Sequence, residues 1–287
     1  MIITKLIGGL GNQMFQYAAG LELAKKWNVP LKIDVNHLNK NPNGAYTQRQ
    51  LELSIFNLPI NIATETEINL FHESHLSKLL YRYFGIKNKY QVVNEIGQTF
   101  NSNFYTLTKN TYLNGFWQNQ KYFINSKIEV VNSFTFNQKI IESCNEFEKQ
   151  LLPNSVSLHV RRGDYVSLSS ANQFHGLCSI EYYTNAVNYL VNKLNSNLNL
   201  FIFSDDVEWC KQNLNFKNCI YLKTTSAAQD LYLMSKCEHN IIANSSFSWW
   251  GAWLNQNNNK IIIAPKNWFN GVESEKLGIL PDNWITF

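Results

Sequence analysis

The chain has 287 residues, of which 45% are hydrophobic and 16% charged, so it folds into one large or two modest domains and is not intrinsically disordered. Its formal net charge of +4 is too small to imply nucleic acid, no Lys/Arg run of the length expected for a nucleic-acid patch occurs, and there is scope for a mildly basic cleft that takes an anion. Five cysteines, at 144, 178, 210, 219 and 237, are odd in number and form no Cys-x-x-Cys pair, which argues for reduced thiols and against a disulfide framework or a zinc site.

Met1 runs straight into Ile2-Ile3-Thr4-Lys5-Leu6-Ile7, which reads as a strand and not as a signal peptide. A Gly-rich turn follows, Gly8-Gly9-Leu10-Gly11-Asn12-Gln13, and then a helix over residues 14–27. Residues 31–35 form a second strand. Residues 37–130 are Asn-rich and set no boundaries, although 76–84 and 112–116 read as short elements. Residues 138–151 are helical, and Pro153-Asn154 places a domain boundary there, dividing 1–152 from 153–287.

Beyond that point strands and helices alternate. Strands are expected at 156–160, 200–203, 219–222, 240–243 and 260–264. Helices are expected at 180–195, 207–212, 227–237 and 244–254. That order predicts a parallel α/β sheet. No apolar stretch approaches the roughly 20 residues that span a bilayer.

Ligands of such sheets bind at the carboxyl ends of the strands. Three polar clusters fall there: His159-Val160-Arg161-Arg162-Gly163-Asp164-Tyr165, Ser204-Asp205-Asp206 and Asn244-Ser245-Ser246-Phe247-Ser248. Arg161 and Arg162 offer planar, permanently charged forks that match phosphate oxygens, or an ion pair with Asp that holds a turn. The 244–248 cluster opens a helix, where hydroxyls and amides bind an anion or merely cap the helix. Asp205 is placed to accept from the N1 and N2 edge of guanine, or to cap the next helix. No Asp-x-Asp occurs in the chain, so neutralising a diphosphate falls to Arg161 and helix N-termini instead of a metal. Gly9-x-Gly11 with Asp34 downstream also suggests a dinucleotide fingerprint, but Met14 occupies its third glycine position.

The turn and start of helix Gly8-Gly9-Leu10-Gly11-Asn12-Gln13-Met14-Phe15-Gln16-Tyr17-Ala18 resemble the α-1,2-fucosyltransferase family, glycosyltransferase family 11. So do His159 to Tyr165, Phe203-Ser204-Asp205-Asp206 and Asn244-Ser245-Ser246-Phe247-Ser248-Trp249-Trp250-Gly251-Ala252. The resemblance spans residues 1 to about 265. It implies a GT-B architecture of two Rossmann-like domains facing across a cleft, GDP-fucose in the C-terminal one and the acceptor in the N-terminal one. The implied reaction is metal-independent, inverting transfer of L-fucose to O2 of a terminal β-galactose. GDP-fucose is then the donor substrate, and no cofactor is needed.

By the same likeness Arg161 holds the β-phosphate, His159 and Asp205 read guanine and ribose, and Ser246, Phe247 and Ser248 line the nucleotide beside Asn244, Ser245 and Arg162. Gly9, Gly11, Asn12 and Gln13 lie on the acceptor side, with Asn12 reaching the reaction centre. Asp164 is the nearest motif carboxylate to serve as base, unless it only orients an arginine and the departing diphosphate takes the proton. The chain begins at the first motif, which suggests a bacterial, cytoplasmic form. Such a form visits the inner membrane face to decorate lipid-linked glycans of the lipopolysaccharide O-antigen type. Transfer from another GDP-sugar, or glycan binding without chemistry, are the alternatives.

Overall fold

A computed structural model of the chain describes residues 1–39, 49–71, 89–163, 166, 173 and 176–287. The expected element at 76–84 and the residues Asp164 and Tyr165 lie outside the described residues. Two compact units divide the chain, Met1–Thr135 and Phe136–Phe287. The division falls ahead of Pro153 because the helix Gln138–Glu148 packs on the helix Ala227–Lys236. Gln229 Nε2 donates to the Ser143 carbonyl at 3.1 Å, Tyr232 OH donates to Glu148 at 2.7 Å, and the Phe136 and Tyr232 rings meet edge-on. Pro153-Asn154 is therefore a turn within the second unit, with Asn154 left-handed at φ 56°.

Among the described residues the first unit carries a four-stranded parallel sheet in the order β2-β1-β4-β3, from Leu31–Asp34, Ile2–Lys5, Thr111–Asn114 and Gln91–Asn94. Its long helix is Leu10–Trp27, which starts four residues before the sequence expectation. The glycine turn is already helical there, and the amides of Asn12 and Gln13 both donate to the Gly9 carbonyl. This helix approaches the sheet at Gly20, where a Cβ would stand 2.7 Å from Leu31 Cδ1.

Among the described residues the second unit carries a six-stranded parallel sheet in the order β12-β9-β8-β5-β6-β7. Its strands are β5 Ser155–Val160, β6 Asn199–Ser204, β7 Cys219–Ile220, β8 His239–Ile241, β9 Ile262–Ala264 and β12 Ile285–Thr286. A small antiparallel pair, β10 Asn267–Phe269 and β11 Val272–Glu273, precedes the last strand; the sequence reading omitted it and β12. All six residues of β5 are buried, as a central parallel strand covered on both faces requires. Val156, Leu158 and Val160 pack with Tyr183, Ala186 and Leu190 of the helix Ile180–Leu194. The chain winds from β5 through β6 to β7, then crosses to β8 on the other side of β5. The strand order therefore reverses between β5 and β8, the place where open α/β sheets leave a crevice for ligand.

Candidate active site

The strand register assembles the second unit's site. Along β5 and β6 the partners run from Ser155 with Asn199 to Val160 with Ser204. Continuing one step beyond the strand ends sets Arg161 beside Asp205, and a second step sets Arg162 beside Asp206. Arg161 Nη1 lies 2.7 Å from Asp205 Oδ2, and Arg162 Nε lies 3.0 Å from Asp206 Oδ2. The Arg162 amide also donates to Asp205 Oδ1 at 2.8 Å, so Asp205 has a partner on each oxygen.

The two carboxylates divide the roles that the sequence left open for one. Asp206 caps the helix Val207–Asn213, its Oδ1 accepting from the Trp209 amide at 3.1 Å. The capping alternative for Asp205 is thereby excluded. Hydrogen bonds from Arg162 and the Trp209 amide hold the Asp206 carboxyl below its ordinary range. The Arg162 guanidinium in turn lies over the Trp209 ring, 4.0 Å from its centroid.

His159 completes this edge. The residue is 6% exposed, its ring lies 5.8 Å from the Phe247 ring, and its buried Nδ1 has no hydrogen-bond partner. Burial, aided by the Arg161 guanidinium and opposed by Asp205, pushes its pKa down to about 4, so the imidazole is neutral at pH 7. A neutral ring with an unsatisfied buried nitrogen is suited to hydrogen-bond a polar, uncharged part of a ligand.

The third cluster splits between scaffold and site. Asn244 donates to the carbonyls of Gly176 and Trp268 and accepts from Cys178 Sγ. Ser248 Oγ donates to the carbonyls of Ala243 and Ser245, and the residue is fully buried. These two side chains fix the turn after β8. The Ser245 hydroxyl makes no capping bond although Ser245 is the N-cap of the helix Ser246–Trp253. Ser245, Ser246 and Phe247 therefore stand at a helix N-terminus, with Phe247 against His159. Trp249, Trp250 and Trp253 of this helix pack on one another, and Trp249 also meets Trp284, which anchors the helix in the core.

In the first unit the glycine turn is rigid. Gly8 has φ +78°, and a Cβ on it would overlap the Asn12 amide. Asn12 Oδ1 accepts from Gln118 Nε2 at 2.7 Å. Gln13 is fully buried; its amide donates to the Gly8 and Gln50 carbonyls and accepts from the Glu52 amide. Gln13 is thus a brace of the turn. A Cβ on Gly9 would face Arg49 and Glu52 at 3.8 and 3.9 Å, and burial raises the Glu52 pKa against the opposing Arg49 and the Leu10 amide. Gly11 is buried in the first turn of the helix. Asp34 is consumed by the Tyr112 hydroxyl at 2.6 Å and the Asn36 amide at 2.8 Å. With Met14 fully buried as well, the dinucleotide reading loses both its ribose ligand and its third glycine.

A family model described as Glycosyl transferase family 11 matches residues 1–287. The chain belongs to that family. It is a glycosyltransferase. It is 34% identical to an Alpha-1,2-colitosyltransferase of Escherichia coli, over 99% of this chain and 98% of the relative. It is 33% identical to the O-antigen biosynthesis glycosyltransferase WbnK of Escherichia coli, over 98% of each chain. A Galactoside alpha-(1,2)-fucosyltransferase 2 of Sus scrofa is 24% identical over 86% of this chain and 68% of its own. Among solved structures, POFUT1 in complex with GDP superposes with a TM-score of 0.51 at 12% identity, covering 91% of this chain and 97% of that one. NodZ alpha-1,6-fucosyltransferase soaked with GDP-fucose superposes with a TM-score of 0.50 at 13% identity, covering 88% and 91%. These likenesses show the fold, which is the α/β GT-B type.

Several residues beside the glycosyltransferase's motifs escaped the sequence reading. Trp209 was legible in principle, one helical turn beyond Asp206. Arg49, Glu52 and Gln118 carried no signal, because they reach the glycine turn from the stretch whose pattern is unreadable.

Proposed function

We propose that this glycosyltransferase moves L-fucose from GDP-fucose to O2 of a terminal β-galactose, with inversion and without a metal. The observation that carries the reading is the Arg161 guanidinium, held at the end of β5 beside neutral His159 at the point where the strand order reverses. A permanently charged fork there stabilises the charge that develops on a departing diphosphate. The helix N-terminus at Ser246 adds amides and a favourable dipole for the same anion. The second unit, Phe136–Phe287, then serves the donor and the first unit the acceptor, through Gly9, Gly11, Asn12 and the turn braced by Gln13. The acceptor proton goes to Asp164 or to the diphosphate itself. The names of the relatives support a GDP-activated donor and a surface glycan of the O-antigen type as acceptor. Such work brings the enzyme to the inner membrane face as a peripheral visitor, and among the described residues no helix is long and apolar enough to cross a membrane.

A second donor has a specific observation in its favour. The 34% identical relative is named for colitose, which is L-fucose lacking the 3-hydroxyl. Incubation of the enzyme with GDP-fucose or GDP-colitose and a panel of galactosides, followed by linkage analysis, separates the two. An α-1,2-fucosylated product supports the proposal. Turnover with GDP-colitose alone replaces the donor, and binding of UDP in preference to GDP in a parallel titration removes the GDP-sugar reading altogether.

A further inference from the structure

Asp205 has the geometry of a residue that acts through Arg161. We propose that it is a positioning residue, which fixes the Arg161 guanidinium for the β-phosphate of a nucleoside diphosphate and does not read the base. Gly163 is glycine so that the carboxylate can stand there. This rests on reading the site as one for a GDP-sugar. Asp205 Oδ2 takes Arg161 Nη1 at 2.7 Å while Oδ1 takes the Arg162 amide at 2.8 Å. One carboxylate thus ties the side chain of one arginine to the backbone of the next. A carboxylate that reads guanine needs both oxygens turned to the two donors of the base, and here both are turned to the chain.

Gly163 supplies an independent observation. A Cβ at that position would overlap Asp205 Oδ2 and lie 3.0 Å from Asp205 Cγ. Its φ does not fall in the left-handed range, so the glycine answers to space and not to backbone conformation. Asp206 leaves Asp205 free of the capping duty and holds the Arg162 guanidinium away from it through its own ion pair and the Trp209 ring. The Arg161–Asp205 pair is partly buried, with side-chain exposures of 24% and 27%, so it is less screened than a surface pair. A pre-aligned guanidinium loses less rotamer freedom when it meets phosphate.

The test titrates the full chain with guanosine, GMP and GDP at one ionic strength, for the wild type, Asp205→Asn, Gly163→Ala, Arg161→Ala and the Arg161→Ala/Asp205→Asn double variant, with melting temperatures in parallel. A positioning role predicts that Asp205→Asn lowers the GDP-to-GMP affinity ratio about tenfold while guanosine and GMP hold within about twofold. Gly163→Ala gives the same signature in weaker form, and it keeps the proposal testable if Asp205→Asn does not fold. In the Arg161→Ala background the Asp205 substitution adds nothing further. Equal losses for guanosine, GMP and GDP make Asp205 a base reader and overturn the proposal. Tighter GDP binding by Asp205→Asn makes Asp205 a competitor of phosphate and overturns it too, as does additivity in the double variant. A wild-type chain that binds no GDP sinks the donor reading and this proposal together, whereas wild-type binding with any of the other adverse results sinks this proposal alone.

Discussion

Arg161 and Arg162 are neighbours with different work. Arg162 is held by Asp206 and stacked on Trp209, and Arg161 meets Asp205 at the edge that also carries His159 and Phe247. Arg161→Ala is expected to lower kcat about 10²–10³-fold, as loss of one pre-organised charge donor does in comparable sites, with little change in melting temperature. Arg161→Lys should recover little of it, since an ammonium lacks the fork. Near-wild-type turnover by a folded Arg161→Ala protein would remove the residue from the reaction. His159 gives a pH signature. Its folded pKa of about 4 lies below the ordinary value of 6.5, so the unfolded chain binds the proton first. The stability it contributes is complete above pH 6.5 and is lost as pH falls towards 4, by about 3 kcal/mol in all. His159→Gln should lack that part of the decline, which denaturant melts of both proteins at pH 7.5 and pH 4.5 would measure. Parallel declines would show that His159 is not the group responsible.

At the scale of elements, buried amides do the joining. Gln16 is fully buried in the helix Leu10–Trp27, accepts from the Ile7 amide, and donates to the Ile7 and Gly115 carbonyls. It ties the helix to the ends of β1 and β4. Gln16→Leu leaves these groups unpaired at about 1–3 kcal/mol for each buried orphan, so it should lower unfolding stability by about 2 kcal/mol or more. Exposed Gln212→Leu should stay within about 0.5 kcal/mol. Equal effects of the two in urea melts would show that the Gln16 bonds carry no net stability. Glu22 does similar work from the same helix, accepting from the Asn125 side chain and the Ser126 amide. The element types of the second half were legible because strand and helix periodicities alternate cleanly there. The start of the first helix was not. Glycine lowers local helix propensity, while the bonds of Gln13 and Gln16 that hold the turn come from distant backbone.

For the whole molecule, charge without a metal is the central expectation. Activity should survive EDTA, because the chain has no Asp-x-Asp motif and Arg161 with the Ser246 helix terminus supplies positive potential. Loss of activity in EDTA, restored by Mg²⁺ or Mn²⁺, would transfer that work to a cation. The five cysteines are free thiols in the structure, and burial raises the pKa of each. The sequence by itself determined the parallel α/β class of the second unit and the placement of three polar clusters at strand ends, because periodicity and turn chemistry are local. It also determined membership of the family, through long motifs. Only the tertiary structure decided that the units divide before residue 138, that Asn244, Ser248 and Gln13 are bound up in scaffold, and that Asp206 and not Asp205 is the cap. Two adjacent aspartates look alike in sequence. What separates them is the register of β5 on β6, which sets Arg161 opposite Asp205, and a strand pairing between segments some 40 residues apart is fixed by packing rather than by either segment alone.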